Sequence, residues 1–511
     1  MLRSFKLDTF VIFFIGLAVF TVGLSHQEVI GFEARFYLFA LEMWRHGLSW
    51  FPTTYQTYYP DYPVTSTALI YLTAKVWGHL DKLTAVFPSA AAAALTLVAT
   101  YRIAAIHSRC SGWYSVAFLL LTSAVVMEAR TISLDIFVML FTTLSFYAVY
   151  SAESKNKAIP YVQLVLFFMM SFAIRGPIGL IIPASVVCVF YLSDKNISAF
   201  FKSGFTAFFT LLVCSVVLFA IAKHAGNDAF MREVLRMQVM GRMEGAAPPW
   251  NFYFIENIGA YAVTYPLALL ILAGCVFLPH SKNKLMLKLA GWVLIILVGM
   301  SLTADKKVRY VLSIAPALAL ICGHFFATQT HVSYLRWLRK MVYVFLLLLP
   351  FICLISLPVL QYKKIPLNYV VLGLGFSLTA LFSLIDRRRA AVLFSAVVAF
   401  LIAVIFVSEP IELNLNQTRS FVEKVENFRL QQQLPLVFYR EDPDGLVIKY
   451  LADMPVESTP AFVSDVREIK HPALVIAEKN DIDAMPVEIK QHLHVVSEGK
   501  IGHVRVSAFI Y

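Results

Sequence analysis

The residues best able to do chemistry sit in short polar segments that interrupt long apolar runs. Residues 31–62 carry Glu33, Arg35, Glu42, Trp44, Arg45, Trp50, Tyr55, Tyr58, Tyr59, Asp61 and Tyr62. Further along come Glu128, Arg130 and Asp135, then Arg175, then Asp305-Lys-Lys-Val-Arg-Tyr310. A carboxylate in this set could take a proton from an acceptor as a general base. Lysine and arginine could hold a phosphate and stabilise its charge as it leaves, arginine through a two-pronged fork. The combination fits a transfer reaction with an anionic leaving group. Structural roles compete with these. Glu33 could cap a helix or pair with Arg35, and Asp135 could pair with Arg130.

The elements that position these residues read as membrane helices. Of 511 residues, 59% are hydrophobic and only 15% charged, well below the ~25% charged of soluble domains. A helix needs roughly 20 apolar residues to cross a bilayer. Candidate spans are 9–25, 83–106, 112–128, 132–151, 158–175, 177–192, 201–223, 261–279, 286–303, 309–327, 341–360, 367–385 and 390–408, about thirteen in all. The first follows Arg3 and Lys6 like a signal peptide, but no small-residue cleavage site comes after it, so it reads as an uncleaved span.

With the N-terminus inside, every inside turn is basic, from Arg102/Arg109 and Lys155/Lys157 to Arg336/Arg339/Lys340 and Arg387/Arg388/Arg389. The net charge of +11 is thus explained by topology rather than by nucleic acid. An odd span count puts the C-terminal tail outside, with the first loop. The chemical residues named above all fall on this outside face. The six cysteines lie in or beside apolar runs without a CxxC, so neither a zinc site nor a disulfide framework is expected.

The expected organisation is a transmembrane domain over 1–409, with outside loops at 26–82 and 224–260, and a small α/β domain over 410–511. The first loop should hold two helices lying along the membrane. One carries Phe36, Tyr37, Phe39, Ala40, Met43 and Trp44 at helical spacing, the other Leu69, Leu72, Thr73, Val76 and Trp77. The second loop carries Arg232, Glu233, Arg236, Arg242 and Glu244 and could be an amphipathic helix. In the tail, 435–440, 473–478 and 503–511 read as strands, and 418–433 and 444–452 as helices. No nucleotide-binding loop, nucleophile elbow or HExxH occurs in the chain.

Gly31-Phe-Glu-Ala-Arg-Phe-Tyr, followed by Glu42-Met-Trp-Arg-His-Gly47, resembles the first-loop signature of bacterial membrane glycosyltransferases of the C superfamily (GT-C). Within that superfamily the segments are similar to those of protein O-mannosyltransferases and of the aminoarabinose transferases of lipid A. Glu128-Ala-Arg-Thr-Ile-Ser-Leu-Asp135 is similar to that family's Ala-Arg then Leu-Asp segment. Arg175-Gly-Pro-Ile-Gly179 is similar to its Lys-Gly-Pro-x-Gly turn, and Lys306-Lys-Val-Arg-Tyr310 to its Lys-x-x-Arg-Tyr segment. Where the family often has Asp-Glu, this chain has Phe32-Glu33. Where it has lysine, Arg175 stands, whose planar fork changes the contact geometry.

The resemblance implies a GT-C membrane fold and inverting transfer of a sugar from undecaprenyl or another polyprenyl phosphate. The reaction would occur at the outer face of a bacterial inner membrane, on a periplasmic lipid A, glycan or protein acceptor, as in lipid A modification or protein mannosylation. It implies Glu33, Asp61 and Asp135 as catalytic residues. Arg35, Tyr59, Tyr62, Arg130, Arg175, Lys306, Lys307 and Arg309 would bind substrate. No cofactor is implied as required, and no residue set supports a divalent cation. A lipid-linked sugar flippase is the alternative, although it predicts internal repeats that the chain lacks. A non-catalytic scaffold presenting the C-terminal domain is the third reading.

Overall fold

The computed structural model describes residues 2–29, 33–54, 57–239, 248–275, 284–329, 331–416, 418–441, 445–453, 460–491 and 493–511. Gly31, Phe32, Tyr55, Arg242, Glu244 and Asp444, the first residue of the helix expected at 444–452, lie outside them. Helices dominate to residue 432. In chain order they are α1 (Leu2–Thr21), α2 (Glu33–His46), α3 (Thr65–Trp77), α4 (Lys82–Ala105), α5 (Arg109–Leu120), α6 (Ser123–Ala129), α7 (Leu134–Ser154), α8 (Tyr161–Arg175), α9 (Pro177–Ser193) and α10 (Ile197–Val239). There follow α11 (Phe252–Ala260), α12 (Thr264–Cys275), α13 (Lys284–Ser301), α14 (Ala315–Ala327), α15 (Ser333–Tyr362), α16 (Tyr369–Ile385), α17 (Arg389–Ala403), α18 (Glu409–Asn416) and α19 (Thr418–Gln432).

Each of the thirteen expected spans coincides with helix, although 261–279 runs past the described residues. Among the described residues, seven helices are long and apolar enough to cross a membrane, or nine if each of two bent pairs is one span. Three shorter apolar helices, α8, α9 and α16, accompany them. Local chemistry sets several boundaries. Asp81 and Thr84 form a reciprocal capping box at the start of α4. Helix α10 breaks at Gly226 and Asn227, and the Asn227 side chain recaps it by accepting from the Ala229 and Phe230 amides. The segment beyond the break is the helix expected in the second loop, and it carries Gln238.

The first loop contains its two helices, with a two-stranded hairpin, β1 (Thr53–Thr54) and β2 (Thr57–Tyr58), between them. On α3, Leu72, Val76 and Trp77 face outward, the side a bilayer would cover. Helix α2 departs from the expectation, because it is enclosed by protein on both sides. Phe36, Phe39 and Ala40 pack with Tyr59, Tyr62, Ile70 and Val86 on the helical body. Ala34 and Leu38 pack with Val422, Tyr450 and Leu451 of the C-terminal unit. The apolar positions cover two faces of α2, and each buried large side chain contributes about 2 kcal/mol. Docking of the C-terminal unit is what turns a surface helix into an interior one.

That C-terminal unit has the expected strands at 435–440, 473–478 and 503–511 and adds two more. Its strands are β3 (Leu436–Tyr439), β4 (Ala461–Val463), β5 (Leu474–Glu478), β6 (His494–Ile501) and β7 (Val504–Ile510). They form one mixed sheet in the order β4-β3-β5-β7-β6. Pairs β3–β4 and β3–β5 are parallel, whereas β7 runs antiparallel to β5 and β6. Helix α19 and helix α20 (Leu446–Asp453) share a core with one face of the sheet.

Candidate active site

Helix termini converge at one end of the bundle. Asp135 lies in the first turn of α7, where the helix dipole favours a negative charge. Arg175 is the last residue of α8. Arg309 sits in a 3-10 segment, Val308–Ile314, that leads into α14. The Asp135 carboxylate lies 3.3 Å from Arg175 and 3.7 Å from Arg309, with all three largely buried. The Arg175 guanidinium also lies over the Tyr310 ring, 5.0 Å from its centre.

The turn after Arg175 explains the Arg-Gly-Pro-x-Gly sequence. Gly176 has φ +65°, which favours glycine. A Cβ there would also meet the Gln238 side-chain oxygen at 2.3 Å. Gly179 brings its carbonyl to the Ser171 hydroxyl at 2.6 Å. Gln238 in turn donates to the Asp61 carbonyl at 2.6 Å. One side chain therefore ties the first loop, the second loop and the 175–179 turn together.

Between these termini lies a cavity of about 220 Å³. Its polar lining includes Glu33, Glu128, Asp135, Arg175, Arg309 and Glu412. A narrow cleft adjoins it, sharing Asp135 and Arg175 and lined by Val138, Ile178, Ile182 and Met300 together with the polar Thr303, Asp305 and Tyr310. Two arginines held side by side at the cavity suit a ligand with an anionic group. Among the described residues, no group of three or more His, Cys, Asp or Glu comes together as a metal site.

The expected site residues divide in two. Glu33, Asp135, Arg175 and Arg309 line the cavity. Glu33 meets the Lys82 ammonium at 2.8 Å and accepts from the Ile132 amide at 3.1 Å. Among the described residues its ion-pair partner is Lys82, not the Arg35 considered from the sequence. Among them too, Asp135 pairs with Arg175 and Arg309, not Arg130. Arg130 is directed elsewhere, as its guanidinium forks onto Glu409, 2.8 Å for one contact. It also donates to the carbonyls of Val19 and Val22, both at 2.8 Å. Asp61 is buried beside this region but is not part of the cavity wall.

Tyr59 and Tyr62 stack at 6.2 Å within the aromatic cluster under α2. The Arg35 guanidinium lies over Tyr59. Lys306 donates to the carbonyls of Pro248, at 2.7 Å, and Pro249. Lys307 is half-exposed and 3.4 Å from Asp305.

Sequence reasoning did not assign roles to Glu128, Lys82, Gln238, Glu409 or Glu412. Glu128 had a signal, since it opens the 128–135 segment and faces the same cavity as Asp135. Glu412 had none, because only the return of α18 to the bundle brings it to the cavity.

Comparison with known proteins places this geometry in a wider context. Residues 61–221 match the profile of the family described as dolichyl-phosphate-mannose-protein mannosyltransferase. An uncharacterized protein of Aquifex aeolicus is 28% identical over 176 residues, which span 32% of this chain and 37% of that protein. Two crystal structures of ArnT from Cupriavidus metallidurans, one bound to undecaprenyl phosphate and one apo, superpose with a TM-score of 0.73. They are 14% identical, over 98% of this chain and 97% of theirs. The matched segment holds Asp61, the 128–135 segment and the 175–179 turn, and the ArnT likeness extends over nearly the whole chain. The resemblance read from the sequence therefore stands, and the chain has the fold of a C-superfamily membrane glycosyltransferase.

Proposed function

We propose that the protein transfers a sugar from a polyprenyl phosphate to an acceptor at the outer face of a bacterial inner membrane. The observation that carries this reading is the Asp135–Arg175–Arg309 cluster at the mouth of a cavity that also holds Glu128. Thirteen spans with a cytoplasmic N-terminus and a periplasmic C-terminal unit complete the reading. It is supported by the basic turns at one bundle end and the site at the other.

In this account Arg175 and Arg309 hold the donor phosphate, and Asp135 fixes both guanidiniums before the donor arrives. Glu128 takes the proton from the acceptor hydroxyl. The acceptor oxygen attacks the anomeric carbon from the side opposite the phosphate. The bond to the phosphate oxygen breaks with its electron pair, and the configuration inverts. The arginines stabilise the phosphate as it leaves. Glu33, held by Lys82, shapes the cavity wall rather than moving the proton. Lipid A, a glycan or a protein all present a hydroxyl that this chemistry can use.

The test is transfer of labelled sugar from polyprenyl-phosphate sugars to a membrane extract by the purified protein in vesicles. Transfer by the wild type, abolished in Glu128→Gln without loss of folding, supports the assignment. Undiminished transfer by that variant removes Glu128 from the mechanism.

A further inference from the structure

The opposite end of the bundle holds a second polar cavity. Helix α14 and the 3-10 segment before it lead away from Arg309, so the two ends are about 30 Å apart. There the end of α14, the start of α15 and the α16–α17 turn enclose a cleft of about 620 Å³. Arg336, Arg339, Lys340, Arg387 and Arg389 line it, with Tyr343 beside them. Among the described residues no carboxylate lines this cleft. The neighbouring Asp386 is engaged by Arg388 through two-pronged contacts of 2.6–3.0 Å.

Two features separate this cleft from an ordinary basic surface turn. Arg339 is only 6% exposed. One nitrogen donates to the Phe325 carbonyl at 3.0 Å, while its Nε is buried with no hydrogen-bond partner among the described residues. A buried cationic donor left unsatisfied is costly. Four more cations share the cleft, and a bound anion would relieve their mutual repulsion. The cleft is also framed by outward-facing apolar side chains, Trp337, Met341, Val344 and Phe345 on α15 and Ile385 and Phe394 nearby. An anion with acyl chains would have its head in the cleft and its tails along these residues.

We propose that this cleft binds the phosphate ester of an anionic phospholipid from the leaflet opposite the transfer site. The proposal rests on the reading of the chain as a membrane protein but not on its transfer activity. Arg336, Arg387 and Arg389 supply forks to the phosphate oxygens. Arg339 fixes the floor of the site through its remaining N–H, and the bound lipid bridges α15 to the α16–α17 turn.

The test is lipid retention by full-length protein, read by native mass spectrometry after exchange into vesicles. One set of vesicles is phosphatidylcholine alone, the other equal parts phosphatidylcholine and phosphatidylglycerol. The variant is Arg336→Gln/Arg387→Gln/Arg389→Gln, which leaves the buried Arg339 in place. Lys363→Gln/Lys364→Gln, past the far end of α15, is the control for general charge. A third arm adds inorganic phosphate in place of the anionic lipid.

Wild type and control should retain phosphatidylglycerol, and the triple variant should retain about tenfold less. Melting temperature in phosphatidylglycerol should exceed that in phosphatidylcholine for wild type and control but not for the triple variant. Equal retention by wild type and triple variant would overturn the proposal. Inorganic phosphate giving the same stabilisation as the lipid would overturn its lipid origin. Since neither readout measures transfer, failure here is distinct from failure of the proposed function.

Discussion

The Glu33 carboxylate and the Lys82 ammonium meet at 2.8 Å with both side chains almost wholly enclosed. Lys82 also donates to the Glu28 carbonyl, and Glu33 accepts from Ile132. The pair therefore joins the start of α2, the start of α4 and the floor of the cavity. Removing one charge strands the other, which typically costs about 3–5 kcal/mol, whereas replacing both can be near neutral. Glu33→Gln should lower thermal stability markedly. Glu33→Gln/Lys82→Met should recover most of the loss and retain transfer. Thermal unfolding followed by intrinsic fluorescence, together with activity, checks both.

Asp135 holds two arginines at the cavity mouth, so its replacement should act through them. Asp135→Asn removes the carboxylate charge that Arg175 and Arg309 share. Loss of pre-organised geometry should reduce transfer by about 100-fold. Arg309→Gln should raise the KM for the donor more than it lowers kcat. Arg175→Lys should keep part of the activity, since a point charge replaces a fork. Steady-state kinetics with a single donor separates these cases.

Gly176 is required by both backbone and space. Gly176→Ala would place a Cβ at positive φ, at a cost of about 1–2 kcal/mol, and against the Gln238 side chain. Release of Gln238 would free its hold on the Asp61 carbonyl. The expected result is a destabilised first loop, read as faster proteolysis or hydrogen exchange around residue 61. Gln238→Ala should reproduce the loosening without the backbone strain.

Arg130 has a structural rather than a substrate-holding environment. Its guanidinium satisfies two carbonyls near the end of α1 and the Glu409 carboxylate, 279 positions along the chain. Gln27 also donates to Glu409 at 3.0 Å. Arg130→Met should destabilise the protein, while the KM for the donor in the surviving fraction stays close to the wild-type value. A large rise in donor KM at unchanged stability would return Arg130 to the binding site.

Much of the architecture was legible because membrane helices and strands announce themselves locally. Each apolar run coincides with helix where the structure describes it, with seven to nine of these helices long and apolar enough to span a membrane among the described residues. Alternation located three of the five strands in the C-terminal sheet. The Arg175-Gly-Pro-Ile-Gly179 turn was readable because positive φ and close approach restrict residue type. Partner identity was not readable in the same way. The sequence placed Arg130 near Asp135 and Arg35 near Glu33, because those residues are close along the chain. The fold instead gives Asp135 to Arg175 and Arg309, Glu33 to Lys82, and Arg130 to Glu409. Burial of α2 was hidden for a similar reason, as its second apolar face meets a unit some 400 residues later. Local periodicity reports that a face is apolar but not what covers it.

The most direct measurement is transfer of radiolabelled sugar from polyprenyl-phosphate donors in vesicles, with wild type beside Glu128→Gln and Glu33→Gln/Lys82→Met. The account predicts transfer by the wild type and by the double variant. It predicts a loss of about 100-fold or more in folded Glu128→Gln. Labelled lipid that changes leaflet without any sugar being transferred, or full activity in Glu128→Gln, would contradict it.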